Sequence, residues 1–500
     1  MKFPELLCGE FMENTNLCRA RLLVVSNRSP YSFRHIGRRW KLERAIGGLV
    51  AAVEPVLRRL GGLWIAWGDR PVAGQEKMPA PPDDPRYHIK FVPLSSEEVD
   101  GYYFGFANEA LWPLCHYFLG KCNFSRERWQ SYRSVNRKFA VATLEELAAE
   151  DIVWVHDYHL ALVPQYIRER EPSAKIAYFW HIPFPGVDLF RALPWRREIL
   201  WGLLNSDFVG FHTEMYVRNF LDSVEELVKI PVDREQGRVT VEGRRVKIRA
   251  VPLGVDVGYC QRLANSPDMQ AKAKAIRQAL RSEIVALGVE RLDYTKGILE
   301  RMWAVERLLE AHPGLRKKFS LIQIAAPSRT KVPEYRKLKQ QVDETIGRIN
   351  GRFAELDWVP IVYFSKSVPR PELTAYYQAA DIALVIPLRD GMNLVAKEYV
   401  ASRTDLDGVV ILSELAGVAE EFDAALLVNP FDIEQVAEAI RQAIDLDVEE
   451  KRRRMQRLRE KVERRDLTWW LEQMLYEFTT LSAGGSGARE TASAAGEHMG

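Results

Sequence analysis

The sequence predicts a soluble α/β protein whose parallel sheets are covered by helices on both faces, built in two halves. Three observations predict it. Short apolar, β-rich runs alternate with amphipathic helical stretches. That alternation begins twice along the chain. And 500 residues exceed what one hydrophobic core usually holds.

In the first half the strands are LLVVS (22–26), LWIAW (63–67), IVWVHD (152–157), KIAYFWHI (175–182) and FVGFHT (208–213). Between them lie helical patterns such as 47–60 and 193–204. Nearly continuous apolar strands separated by helices belong to parallel sheets buried on both faces, which is doubly wound, Rossmann-like architecture. A polar, Ala- and Gln-rich helical stretch runs to about 282. Then strands restart at 284–293, 320–328, 359–365, 380–388, 408–414 and 425–430. The expected division is an N-terminal extension (1–21), a first Rossmann-like domain (22–255), a second one carrying the terminal helices (256–482), and a small, polar, aperiodic tail (483–500) expected to be disordered.

A formal net charge of +2 with interspersed signs gives no electrostatic case for nucleic acid or for a membrane surface. The basic run 451–465 alternates with Glu as a solvated helix face does. The five cysteines, Cys8, Cys18, Cys115, Cys122 and Cys260, have neither metal spacing nor a disulfide framework. With no membrane-length apolar run and no signal-peptide core, a cytoplasmic protein is expected. A homo-oligomer is compatible with the sequence, which does not specify one.

In doubly wound sheets the polar residues at strand C-termini reach the cleft. Here these are Asn27–Arg28, Trp67, His156–Asp157, His181, His212, Arg291 with Asp293 and Lys296, Ser328–Arg329, Arg389–Asp390 and Glu414. One such residue could be a helix cap; so many on one edge suggest a site. The cations Arg28, Arg291, Lys296, Arg329 and Arg389 favour an anionic ligand, with phosphate the leading candidate. No GxxxxGK[ST] or GxGxxG fingerprint is present, nor a GxSxG elbow, and the histidines lack metal-ligand spacing, so no metal is expected. Two helix starts, at Gly47–Gly48 and at Gly391-Met392-Asn393-Leu394, offer bare amides to an anion. Asp390 would accept a hydroxyl proton, Glu398 could reach a ribose diol, and Lys397 is expected to face solvent or a neighbouring carboxylate. HIPFPG (181–186) would present His181 rigidly between prolines.

Taken together, SNRSP (26–30), GGL (47–49), ALWPLCHY (110–117), VWVHDYHLALVP (153–164), HIPFP (181–185), GFHT (210–213), VERLDYTKGILER (289–301), APSR (326–329), GRING (347–351) and LRDGMNLVAKEYVA (388–401) resemble the trehalose-6-phosphate synthases, retaining glycosyltransferases of the GT-B fold. The resemblance runs over about 22–475 in family order. It implies transfer of glucose from a nucleoside diphosphate glucose, UDP-glucose in the first instance, to glucose 6-phosphate, giving α,α-trehalose 6-phosphate without cofactor. It assigns Arg291 and Lys296 to the donor diphosphate, Glu398 to the ribose, and Asp390, His181 and the amides of Met392 to Leu394 to the transferred glucose. Gly48 would lend its amide near the diphosphate. Arg28, Tyr103, Trp112 and Arg329 would hold the acceptor phosphate, with Trp67 and Asp157 on the acceptor sugar.

The same scaffold also serves glucosylglycerol-phosphate and pseudoglycosidic synthases, and a non-catalytic sugar-phosphate binder is the alternative outside enzymes. The sequence departs from the family pattern in a basic loop after SNRSP, in Gly68–Asp69 after Trp67, and in Met215 and Asn219, where an acidic residue and a His are commoner. No aspartate-rich phosphatase motif follows residue 475, so a fused phosphatase is not expected.

Overall fold

The computed structural model describes residues 21–36, 39–44, 48–68, 77–329 and 332–483. Gly47, Asp69, residues 1–20 of the expected extension and the tail from 484 lie outside them.

Every apolar run expected to be a strand is one, and the runs fall into two sheets as expected. The first sheet has ten strands. Its parallel centre is ordered Arg244–Ala250, Phe208–Phe211, Lys175–Phe179, Ile152–His156, Leu22–Arg28, Leu63–Gly68 and Tyr87–Pro93. The second is a six-stranded sheet, parallel throughout, ordered Ile361–Phe364, Phe319–Ala326, Ile284–Arg291, Ile382–Val385, Val409–Ser413 and Leu426–Val428. Strand order reverses between Leu22–Arg28 and Ile152–His156 in the first sheet. In the second it reverses between Ile284–Arg291 and Ile382–Val385. Such switch points open a crevice at the strands' carboxyl ends. The chain therefore delivers Arg28 and Asp157 to one crevice, and Arg291 and the 387–391 turn to the other.

Two parts of the fold differ from the sequence reading. The stretch read as a basic loop after SNRSP is an antiparallel hairpin, Tyr31–Ile36 against Arg39–Arg44. Its apolar positions Tyr31 and Phe33 on one strand, and Trp40 and Leu42 on the other, with Phe33 opposite Leu42 in register, alternate with period two, but the arginines among them hide the pattern. The first sheet is also extended by antiparallel strands at its edges, Lys77–Ala80 on one side, Val232–Asp233 and Arg238–Val241 on the other. These alternate buried and exposed residues, or are very short, and so lack the continuous apolar signal of a doubly covered strand.

The two terminal helices part company. Val448–Arg464 packs Met455, Leu458 and Val462 against the second domain. Leu467–Ala483 returns to the first sheet, where Trp470, Met474 and Phe478 lie in one cluster with Val24, Trp154 and Phe179. The span 256–482 had grouped both with the second sheet; the apolar face of the last helix matches the uncovered face of the first. The crossing is tight. The amide of Leu467 donates to the Val255 carbonyl at 3.0 Å, and a Cβ on Gly254 would sit 2.2 Å from the Asp466 carbonyl carbon.

Candidate active site

Two groups of side chains face each other at the two switch points. The first is a wall of aromatic rings and guanidinium groups. Tyr103 lies on a π-helical segment, Asp100–Leu111, and Trp112 opens the α-turn that follows. Nine residues apart (112 − 103), they would fall on opposite faces of an α-helix, which turns every 3.6 residues. The wider π-turn, roughly four and a half residues per turn, brings them to the same face. Arg28 stacks 5.0 Å from the ring centres of both Trp67 and Tyr103. Arg329 lies 4.0 Å from the Trp112 ring and Arg291 5.6 Å from it. Guanidiniums gathered on a few rings at a cleft can receive an anionic group between them.

Arg329 is the buried anchor. Its Nη1 donates to Asp293 Oδ2 at 3.1 Å and to the Tyr335 hydroxyl, and its Nη2 donates to the Tyr158 hydroxyl at 3.2 Å. Asp293, fully buried, also accepts from the Tyr335 hydroxyl at 3.0 Å. Burial pushes the Tyr103 hydroxyl up, but Arg329 and Arg28 outweigh it and bring its pKa down to about 8. Burial raises Asp157 to about 6, against the pull of the backbone N–H groups of Tyr158 and His181 and of Arg329. Asp157 Oδ1 accepts from those two amides at 3.0 and 3.3 Å. The imidazole of His181 is held neutral by burial, down to about 3, and shares a hydrogen bond of 3.1 Å with His156 Nδ1.

The second group is the turn 387–393. Lys296 Nζ donates to Asp390 Oδ2 at 2.7 Å, and Asn393 Nδ2 donates to the same oxygen at 3.0 Å. Burial would raise Asp390, but Lys296 reverses the effect and keeps it ionised below its usual range. Asn393 caps the helix Leu394–Ser402, its Oδ1 accepting from the Ala396 amide at 3.1 Å. A Cβ on Gly391 would lie 2.3 Å from the His181 carbonyl oxygen, so only glycine allows the turn to press against the HIPFP loop. That contact joins the two groups across the cleft.

Four non-glycine residues of this region, Tyr117, Asp157, Arg329 and Asn393, have positive φ, of nine such residues among those described. Backbone strain of this kind, on the order of 1–3 kcal/mol each, gathers where function requires a geometry.

The expected residues Arg28, Trp67, Tyr103, Trp112, Asp157, His181, Arg291, Lys296, Arg329, Asp390, Gly391 and Asn393 are thus assembled. Others have further duties. Glu398 Oε1 pairs with Arg370 at 2.9 Å and its Oε2 accepts from the Tyr377 hydroxyl at 3.1 Å. Met392 is buried, and its carbonyl accepts from Val418; Leu394 packs at the core margin. Gly48 opens the helix Gly48–Leu60. Of its two expected surroundings, Lys397 has the carboxylate. It is buried between Glu421 Oε2, at 2.5 Å, and the Leu253 carbonyl, at 3.0 Å, in the link between the domains. Of the departures, Asn219 Nδ2 donates to the Phe184 carbonyl at 2.8 Å and so fixes the HIPFP loop.

Tyr158, Tyr335 and Arg370 were given no role by the sequence. Tyr158 lies within VHDYHL, beside a residue that was chosen; Tyr335 and Arg370 sit in helices with no local sign of the cleft. Among the described residues no group of three His, Cys, Asp or Glu could hold a metal ion, and no helix is long and apolar enough to cross a membrane. Cys115, Cys122 and Cys260 are free.

The sequence model of glycosyltransferase family 20 matches residues 20–480. The chain belongs to that family. A family 20 relative, the trehalose-6-phosphate synthase of Mycobacterium avium, is 43% identical over 467 residues, 91% of this chain and 94% of its own. A bifunctional trehalose-6-phosphate synthase/phosphatase of Thermoproteus tenax is 41% identical over 472 residues, 91% of this chain but 63% of its own length. The crystal structure of a UDP-forming α,α-trehalose-phosphate synthase from Burkholderia xenovorans in complex with glucose-6-phosphate superposes with a TM-score of 0.84 at 35% identity, covering 92% of this chain and all of that one. The family 20 fold here is therefore GT-B, two Rossmann-like domains facing a cleft, as the sequence led one to expect.

Proposed function

We propose that this family 20 glycosyltransferase moves glucose from UDP-glucose to glucose 6-phosphate, releasing UDP and α,α-trehalose 6-phosphate with retention at the anomeric carbon. The observation that carries the reading is the meeting of the Arg28–Arg291–Arg329 cluster with the Lys296–Asp390 pair across one cleft. The reaction brings two anionic groups to those cations: the acceptor's phosphate and the donor's diphosphate.

Arg28 and Arg329, stacked on Trp67, Tyr103 and Trp112, grip the acceptor phosphate, and Asp157 accepts from a hydroxyl of its sugar. Glu398 receives the donor ribose, while Asp390, His181 and the amides of Gly391 to Leu394 hold the transferred glucose; Gly48 offers its amide near the diphosphate. As the glycosidic bond to the diphosphate breaks, negative charge grows on its oxygens. Arg291 and Lys296 stabilise it through fixed positive charge in a site shielded from water. The leaving phosphate oxygen takes the proton of the attacking acceptor hydroxyl, so the new bond forms on the face that the old one leaves. His181, neutral at every working pH, serves as a hydrogen-bonding group and not as the acid. The substrates are soluble phosphorylated sugars, in keeping with a cytoplasmic enzyme that uses no cofactor.

The test is incubation with UDP-, ADP- and GDP-glucose against glucose 6-phosphate, glycerol 3-phosphate and free glucose, read by product mass and by NMR of the anomeric linkage. A disaccharide phosphate with both linkages α is expected from glucose 6-phosphate. A product from glycerol 3-phosphate alone would replace the acceptor assignment.

A further inference from the structure

The proposed reaction leaves Tyr117 and Arg389 unused, and both are oddly placed. Tyr117 follows the short helix Trp112–Cys115 at the position where a chain usually turns left-handed with glycine, and it adopts φ of 68°. Its amide donates to the Leu114 carbonyl at 3.0 Å and the next amide, of Phe118, to Pro113 at 2.8 Å, so the helix ends in the ordinary way. What the helix ending does not explain is a bulky ring there, in a conformation it adopts at a cost. The ring is partly exposed, 41%, so burial does not explain it either.

Its contacts do. The guanidinium of Arg389 lies 3.7 Å from the centre of the Tyr117 ring. The Tyr117 hydroxyl accepts from the Gly186 amide at 2.9 Å, at the end of the loop that carries His181. Arg389 immediately precedes Asp390, whose carbonyl accepts from the Tyr216 hydroxyl of the first domain at 3.0 Å and from the Gly417 amide of the second at 3.1 Å. The backbone of the turn is thus held from both sides of the cleft.

We propose that Tyr117 and Arg389 form a latch between the domains, by which closure of the acceptor domain sets the Asp390 turn for the donor. The proposal rests on the reaction proposed above. Tyr117 and Arg389 are positioning residues: they touch the turn and the loop, and they act through Asp390 and His181. With the domains apart the cation–ring contact is broken, and the turn keeps only its own domain's bonds. Acceptor binding, which draws the domains together, then tightens donor binding, and by linkage the donor tightens the acceptor equally. Water meets an incomplete donor site until the acceptor is in place.

Two readouts test it on the full chain, in the wild type, Tyr117→Leu and Tyr117→Phe. The first is hydrogen exchange of the 388–396 amides, without ligand and with glucose 6-phosphate. The second is calorimetric affinity for UDP with and without glucose 6-phosphate. Tyr117→Leu is expected to speed exchange at 388–396 and to weaken the mutual tightening roughly 5-fold, as the loss of a partly desolvated cation–ring contact would. Affinity for UDP alone should stay within about twofold and melting within about 3 °C, while donor hydrolysis gains on transfer. Tyr117→Phe keeps the ring and should keep most of the tightening.

Should Tyr117→Leu fail to fold, Arg389→Met removes the same contact from the other side and should reproduce both effects. Unchanged exchange and tightening in these variants overturn the latch, as does an equal loss in Tyr117→Phe and Tyr117→Leu. If the wild type does not use glucose 6-phosphate, the proposed reaction falls, and the exchange comparison still decides the latch.

Discussion

Arg291 and Arg329 end neighbouring paired strands, Ile284–Arg291 and Phe319–Ala326 with its following loop, and share the Trp112 ring, yet they are built in opposite ways. Arg329 is buried, bonded to Asp293, Tyr335 and Tyr158, and strained in its backbone. Arg291 is exposed at the strand end. On the proposed acceptor side, Arg329 is therefore also part of the structure: its charge is fixed before any ligand comes. On the proposed donor side, Lys296 is held by Asp390 and Arg291 is exposed at its strand end, so these cations are aimed at the cleft without being built into the core. A site that must recognise a ground-state phosphate gains from rigidity, whereas one that stabilises charge developing in the transition state needs cations aimed at the leaving group.

Arg329→Ala probes the contrast hardest. It strands the carboxylate of Asp293 in the interior, and breaking a buried pair from one side typically costs about 3–5 kcal/mol. Denaturant unfolding should register that loss, and the acceptor KM should rise most among the kinetic constants. If stability is unchanged, the acceptor edge is not structural. Arg291→Ala should behave in the reverse sense, with folding nearly intact and kcat down about 10²–10³-fold, the scale of a single lost transition-state donor. A fall in stability like that of Arg329→Ala would erase the difference between the two edges.

The pH dependence sharpens it further. With Asp157 raised to about 6, its carboxylate accepts a sugar hydroxyl fully only above that value, so kcat/KM for the acceptor should fall as pH drops through 6. Tyr103, lowered to about 8, becomes an anion beside the acceptor phosphate above that pH, and kcat/KM should fall again. Asp157→Asn should flatten the acid limb and Tyr103→Phe the alkaline one; His181, held near 3, contributes to neither. The smallest effect should come from Arg370→Ala. It frees Glu398 from a partly exposed pair and should raise the donor KM less than about 5-fold, in line with the ~1 kcal/mol or less of such pairs.

Much of this site was legible in the sequence because strand C-termini are. A doubly covered strand is a continuous apolar run, and the first polar residue after it must lie at the sheet edge; Arg28, Asp157, Arg291 and Asp390 were all found that way. Three kinds of residue were not. The edge strands and the hairpin after Pro30 alternate or carry charge, so their signal is weaker than that of the buried strands. Tyr335 and Arg370 act from helices that approach the cleft only through tertiary packing. For Lys397 the sequence leaves solvent and a carboxylate open, because its partners, the Leu253 carbonyl and Glu421, are far from it in sequence. Tyr103 and Trp112 were assigned only through the resemblance; their common face depends on a π-helical winding that no α-helical period reveals.

The division of the cleft is tested most directly by a crystal structure of the full chain with UDP and glucose 6-phosphate bound together. The diphosphate should lie within hydrogen-bond reach of Arg291 and Lys296, and the sugar phosphate between Arg28 and Arg329 on the Tyr103–Trp112 wall. A diphosphate seated on Arg28 and Arg329, or a glucose 6-phosphate found on the Lys296–Asp390 side, would contradict it.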